Sequence, residues 1–233
     1  MNNWKDIKVN ANSNGFEINE QSIFKLYTEV LKFHAPGLAP VSNETGWFHI
    51  NTNGTPIYRE RYQRTFGYYC NRAAVWSKEG WFHISSEGKA IYTNRFGWCG
   101  NYQSNTCTVR DVNKNYFHIG LNGERLYLEN YLYAGDFRDG IGCVRKQNGN
   151  FIHIDTLGRQ LHTNEYLDLG VFHKGFATAR DEEGWLHINQ KGEPIYARRF
   201  NLIEPFYNGF ALVETKKRKK EVIDETGKTI VQL

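Results

Sequence analysis

Hydrophobic and polar positions along this chain alternate in a short block that keeps returning. It reads Gly-Trp-Phe-His-Ile at Gly46 to Ile50 and Gly80 to Ile84, and Gly-Trp-Leu-His-Ile at Gly184 to Ile188. Weaker copies stand at Asn115 to Ile119 and Gly149 to Ile154. The copies recur about every 34 or 35 residues, a fixed period of the kind that marks a repeat architecture. Strand alternation puts Trp81 and His83 on one face and Phe82 and Ile84 on the other. Ahead of each block runs a second alternating segment, such as Asn71-Arg72-Ala73-Ala74-Val75 or Gly209-Phe210-Ala211-Leu212-Val213. Its Ala and Val share a face, which predicts a half-buried strand. A third segment follows the block, as Pro56-Ile57-Tyr58, Ala90-Ile91-Tyr92 or Pro194-Ile195-Tyr196. Proline there suits a first or edge strand position.

Two glycine-like positions punctuate each unit. The first is Gly37, Asn71, Asn105, Gly140, Gly175 and Gly209; the second is Gly54, Gly88, Gly123, Gly158, Gly192 and Gly227. Gly and Asn most readily take φ > 0, so the first site is expected in a left-handed turn. At the start, Asp6 to Val9 and Gly15 to Asn19 fit the first two strands, whereas Gln21 to Phe33 could form a helical turn. The expected fold is all-β, a single domain of seven units of about three short antiparallel strands. The units are approximately 1–32, 33–66, 67–101, 102–136, 137–171, 172–205 and 206–233, the outer two being atypical, as capping repeats are. An open, solenoid-like array is the first expectation. A β-propeller is the alternative, though four-stranded blades usually need ~40–45 residues.

Composition changes this picture little. Aromatic residues make up 15% of the 233, and charged residues an ordinary 23%, which is not a disordered composition. The net charge of +4 owes part to the run Lys216 to Lys220, which sits in a turn and is not extended at the same phase elsewhere. A solvated turn is therefore the expectation, and nucleic acid is not an expected partner. Met1 to Lys5 lacks the apolar core of a signal peptide, and no apolar run is long enough to span a bilayer. The four cysteines, Cys70, Cys99, Cys107 and Cys143, form no C-x-x-C pair. Free, mostly buried thiols and a cytoplasmic location are expected.

Three features carry candidate chemistry. The repeat-phase histidines His49, His83, His118, His153 and His187 would form a ladder or ring, and imidazole is a common metal ligand. Against this, units sit ~4.7–10 Å apart, so at most adjacent pairs could share a metal. No acid or cysteine recurs at a matching phase, so packing beside a neighbouring aromatic and bonding to backbone is preferred. Second, Tyr58, Tyr92 and Tyr196 precede Arg61, Arg95 and Arg199 by three residues, which suggests a recurring Arg–aromatic stack. It would serve inter-unit packing or a repetitive binding face. Third, Trp76, Trp98, Tyr69 and His173 break the period, and an aromatic absent from the repeat is not needed to stack one unit on the next. No P-loop, G-x-G-x-x-G, G-x-S-x-G or zinc spacing is present.

These residues resemble the WG-repeat (KWG) proteins. Their unit looks like Trp-Gly-(aromatic)-Ile-Asp-x-x-Gly with an upstream Phe-x-x-Gly-x-Ala-x-Val. The upstream part is matched at Phe137 to Gly140, Phe172 to Gly175 and Phe206 to Gly209, and the downstream part at Trp47 to Gly54, Trp81 to Gly88 and Trp185 to Gly192. The chain departs from the pattern where the Gly after Trp is Phe48, Phe82 or Leu186, and where the next aromatic is His49, His83 or His187. The resemblance implies a bacterial-type β-rich repeat protein, often joined to other domains, with no catalytic residue to carry over.

The expected function is a non-catalytic module that binds another protein or peptide through an aromatic and basic face. Its binding residues would be Trp76, Trp98, Tyr69, His173, Arg61, Arg95 and Arg199, with no metal or cofactor. The alternatives are a carbohydrate-binding protein and a metal-dependent enzyme using the repeat histidines.

Overall fold

The computed structural model describes residues 3–233; the readings that include Met1 and Asn2 lie, at those two positions, outside the described residues. The alternating segments fold into seven antiparallel sheets. The first is Lys8–Val9, Phe16–Ile18 and Gln21–Ile23. The second to sixth each contain a two-residue strand, a middle strand and the repeat-block strand. They run Glu29–Val30, Ala39–Asn43, Gly46–Ile50; Arg64–Thr65, Ala73–Ser77, Gly80–Ile84; Trp98–Cys99, Cys107–Arg110, Tyr116–Ile119; Tyr133–Ala134, Ile141–Arg145, Phe151–Asp155; and Asp168–Leu169, Ala177–Asp181, Gly184–Ile188. The seventh has four strands, Leu202–Ile203, Phe210–Glu214, Lys220–Asp224 and Thr229–Gln232. A single 3-10 turn, Trp4–Asp6, is the helical element of the described residues, and no helix there is long and apolar enough to cross a membrane. Gln21 to Phe33, where the sequence allowed a helical turn, instead supplies the strands Gln21–Ile23 and Glu29–Val30.

The chain falls into two compact units, one reaching Lys114 and taking in His118–Arg125, the other made of Asn115–Phe117 and Leu126–Leu233. Within each, the core lies between successive sheets. In the first unit, Trp47 and Tyr62 pack on Ala73, Val75, Phe82 and Ile84 of the next sheet. In the second, Tyr166 and Leu169 pack with Ala177, Ala179, Leu186 and Ile188. The middle strand of the third sheet, expected to be half-buried, is buried on both faces, with Ala73, Ala74 and Val75 all at 1% exposure or less, whereas Phe210–Glu214 of the last sheet alternates as expected, with Ala211 and Val213 buried and Phe210 exposed. The reason is stacking, since a sheet between two neighbours has no solvent face.

The turns follow the glycine-like pattern. Cys70–Asn71, Ser104–Asn105, Asp139–Gly140, Lys174–Gly175 and Asn208–Gly209 all have positive φ at both residues. At the first of these, Tyr69 and Arg72 exchange both backbone hydrogen bonds across the pair. This is the two-residue type I′ hairpin, whose twist matches that of its strands. It joins the two-residue strand to the middle strand in the third to seventh sheets, so each of these sheets takes its short strand from before the first glycine position.

The third segment is a strand only in the first and last sheets. Elsewhere it touches the repeat-block strand at two isolated bridges, such as Ile50↔Pro56 and Trp47↔Tyr62. Three residues separate Trp47 from Ile50, but six separate Pro56 from Tyr62, so the returning chain bulges between the bridges. The bulge carries Tyr58, whose ring is needed in the next sheet.

Candidate functional site

Each bulge closes a clasp around a repeat histidine. His187 Nε2–H donates to the Glu204 carbonyl at 2.9 Å, and its Nδ1 accepts from the Tyr196 hydroxyl at 2.6 Å. The tautomer follows because a carbonyl can only accept. His49 repeats the arrangement with Phe66 O at 2.8 Å and Tyr58 at 2.5 Å, and His83 does so with Gly100 O and Tyr92. An aromatic of the following sheet covers each ring, Tyr68 at 4.6 Å from His49 and Phe206 at 3.9 Å from His187. His49, His83, His118, His153 and His187 are all 0% exposed. Burial, opposed in part by the backbone hydrogen bond, lowers the pKa of His49, His83, His153 and His187 to about 4. These four imidazoles are therefore neutral, and His49, His83 and His187 use both nitrogens. The packing account of the histidines describes them, and among the described residues no cluster of three His, Cys, Asp or Glu side chains could hold a metal.

The clasp tyrosine also explains the second glycine. A Cβ on Gly88 would lie 2.4 Å from the Tyr58 ring, and one on Gly227 would lie 2.6 Å from the Tyr196 ring. The ring from one sheet rests on the bare backbone of the next.

The fifth sheet departs from this scheme, with His162 in place of the tyrosine. His153 Nε2–H donates to Gly170 O at 2.8 Å and His162 Nδ1–H to Asn164 O at 3.0 Å, while His153 Nδ1 faces His162 Nε2 at 3.1 Å. Three contacts need three protons, and two neutral imidazoles carry two. Burial lowers the pKa of both rings, so the third proton is not held at pH 7. His162→Tyr, which restores a hydroxyl donor, is expected to raise stability by about 1–2 kcal/mol at pH 7. A lower urea midpoint in the variant would refute the proton count.

The expected Arg–Tyr stack takes a different form. Arg61 Nη1 donates to the Tyr58, Arg59 and Glu60 carbonyls, and its guanidinium lies 3.9 Å over Phe48 instead of on Tyr58. Arg95 makes the same three backbone bonds and lies 3.8 Å over Phe82. Arg199 does likewise and also pairs with Asp181 at 2.7 Å. The bulged loop presents its carbonyls inward, and the arginine three residues after the tyrosine satisfies them.

With histidine, tyrosine, glycine and arginine engaged in the clasp, a second set of side chains stands out. Cross-strand register places Arg64 beside Trp76 and Trp76 beside Trp81 in the third sheet. It pairs Trp98 with Arg110 in the fourth, Tyr133 with Arg145 and Arg145 with Phe151 in the fifth, and Arg180 with Trp185 in the sixth. Each of these sheets thus carries a row containing an arginine and aromatics. In the third sheet the row builds a stack. Arg64 lies 4.1 Å over Trp47 and 5.6 Å over Phe66, Phe66 is parallel to Trp81 at 5.8 Å, and Trp81 is parallel to Trp76 at 5.9 Å. Trp76 ends the stack and is 42% exposed. Arg64 is also held by Glu29 in a two-pronged ion pair at 3.0 and 3.1 Å. A groove of about 830 Å³ lies alongside, lined in part by Glu29, Trp47, Arg61 and Glu79.

Trp76 and Trp98 therefore occupy the row on different strands of two sheets. Tyr69 and His173 do not join it. They precede the type I′ turns of the third and sixth sheets, at one common phase, where Tyr69 lies 4.8 Å from His34 and His173 is stacked 6.3 Å from Tyr207. Sequence reasoning passed over Arg64, Arg110, Tyr133, Arg145 and Arg180, because a row is assembled across strands. Their signal was the recurrence of an arginine or an aromatic at the two positions held by Arg64 and Trp76. Cys99, Cys107 and Cys143 are buried and Cys70 is exposed, all as free thiols, and Lys216 to Lys220 is an exposed stretch between Phe210–Glu214 and the strand that opens at Lys220.

No curated protein matches the chain. Among solved structures, that of a eukaryotic initiation factor superposes with a TM-score of 0.58 at 9% identity, covering 97% of this chain and 72% of that one. The computationally designed Ika8 protein gives 0.50 at 12% identity over 98% and 84%. The WD40 β-propeller domain of Doa1 gives 0.40 at 10% identity over 93% and 87%. At such identities the likeness to the first two is one of fold. Residues 188–218 match the family model of the WG containing repeat, in phase with the clasps and hairpins described above, so the chain contains a WG repeat over that stretch.

Proposed function

We propose that this chain is a non-catalytic repeat module that binds another protein or peptide through its cross-strand rows of aromatic and arginine side chains. The observation that carries this reading is Trp76, a large ring held flat by Trp81 and still 42% exposed. A pre-stacked aromatic beside a fixed arginine suits a binding hot spot, since little side-chain freedom remains to be lost. Trp98 with Arg110, and Tyr133 with Arg145, extend the same chemistry to other sheets. Tyr69 and His173 would add contacts at the turns. Arg61, Arg95 and Arg199 would border the surface while holding the loops. A flat exposed indole also suits a sugar ring, so quenching of tryptophan fluorescence by oligosaccharides is the companion experiment.

Affinity capture with the wild type beside a Trp76→Ala/Trp98→Ala double variant tests the proposal. The variant is expected to bind the captured partner about thirtyfold more weakly or worse while keeping its circular-dichroism melt. Equal binding by both would remove the rows as the contact surface.

A further inference from the structure

The groove beside the third-sheet stack has a smaller counterpart in the second compact unit, and there the protein fills it with a side chain of its own. The counterpart, about 270 Å³ against about 830 Å³, is lined by residues that match groove residues position for position in the strand register. Gly184 stands for Gly46, Trp185 for Trp47, Phe200 for Tyr62 and Lys216 for Lys78. Lys216 reaches from the seventh sheet to the turn of the sixth. Its Nζ donates to the Glu183 carbonyl and lies 3.0 Å from where a Cβ on Gly184 would stand. An ammonium therefore closes the smaller cleft.

The groove lacks this plug. Lys78 stands at the phase of Lys216, but on a turn of four residues between the paired Trp76 and Trp81, where Glu214 and Lys220 enclose five. It is exposed and makes no hydrogen bond or ion pair among the described residues, and the Thr45 carbonyl, the counterpart of Glu183 O, accepts none there. The lining carries four carboxylates, Glu29, Glu44, Glu60 and Glu79, against two cations, Arg61 and Lys78. Glu29 is paired with Arg64 and Glu79 reaches Arg95 at 3.5 Å. Glu44 and Glu60 are exposed and have no ion pair among the described residues. In a chain of net charge +4 this is a local surplus of negative charge, beside an acceptor whose counterpart a lysine occupies.

We propose that the groove receives a lysine side chain from a basic segment of the protein partner. The inference rests on the rows being a partner surface and names the chemistry of that partner. The incoming ammonium takes the place of Lys216, donating to the Thr45 carbonyl and pairing with the Glu44 and Glu60 carboxylates. Trp76, exposed and adjoining Ser77 of the lining, meets the residues that flank the lysine.

Amide NMR of the whole chain titrated with a capped Gly-Lys-Gly-Lys-Gly peptide tests it, beside the same peptide acetylated at both lysines. Saturable shifts at residues 43–46 and 77–80 are expected with a Kd on the order of 1 mM or tighter, and none with the acetylated peptide. Both carboxylates are exposed, so Glu44→Gln/Glu60→Gln should keep the fold and weaken binding about fivefold to tenfold. No saturation up to about 10 mM, equal shifts with the acetylated peptide, or equal affinity in the wild type and the charge variant would overturn the proposal. Should the peptide fail while Trp76→Ala/Trp98→Ala still loses its captured partner, the basic segment falls and the aromatic rows stand.

Discussion

Lowering the pH from 7 to 5 is expected to remove most of the stability of this protein. His49, His83, His153 and His187 have pKa values of about 4 in the folded state, chiefly because burial disfavours the imidazolium. In the unfolded chain histidine titrates near ~6.5. A depressed folded pKa means that the folded state binds fewer protons. The stability these groups contribute is therefore complete above the unfolded value and is lost as the pH falls towards 4. At pH 5 each histidine has given up about 2 kcal/mol, and the four together about 8 kcal/mol, against a typical total of ~5–15 kcal/mol. Urea midpoints measured between pH 7 and 5 at constant ionic strength should fall steeply. A midpoint that stays level over that range would show the imidazoles to be solvated and the clasp open.

Gly88→Ala should cost about 2–5 kcal/mol, more than the same change at Gly140. Both residues have a left-handed backbone, with φ of +80° at Gly88 and +78° at Gly140, so both carry the penalty of about 1–2 kcal/mol for an L side chain there. At Gly140 a Cβ meets nothing within 4 Å, whereas at Gly88 it lies 2.4, 2.6 and 2.8 Å from Tyr58 atoms. The excess is the cost of overpacking a ring that His49 holds by its hydroxyl, about 1–3 kcal/mol. Urea denaturation of the two variants separates the contributions. Equal losses would mean that Tyr58 moves aside freely and that the glycine answers only to its backbone.

The strands, their period and the left-handed turns were legible in the sequence because each depends on local alternation or on one residue's φ. Asn71 and Gly209 are examples: the side chain type alone announces the turn. Pro56-Ile57-Tyr58 was legible as an extended segment but not as a bulge, because only the neighbouring sheet's Gly88 draws Tyr58 out of the ladder. Arg61 was misplaced onto Tyr58 for a related reason. Spacing along the chain shows that two residues recur together, not whether one binds the other's ring or its carbonyl. The row of Arg64, Trp76 and Trp81 is a property of register between strands, so Trp76 read as an isolated aromatic. The His153–His162 pair was hidden for the same reason, since the tyrosine phase is recognisable only once the clasp is known.

The central claim is that the repeating histidines are neutral structural joints. Nitrogen-15 NMR of the imidazole rings at pH 7 tests it most directly. The account predicts the Nε2–H tautomer for His49, His83 and His187, uncharged until the protein unfolds in acid and unmoved by added zinc. Imidazolium signals at neutral pH, the Nδ1–H tautomer, or ring nitrogens shifted by metal would contradict it.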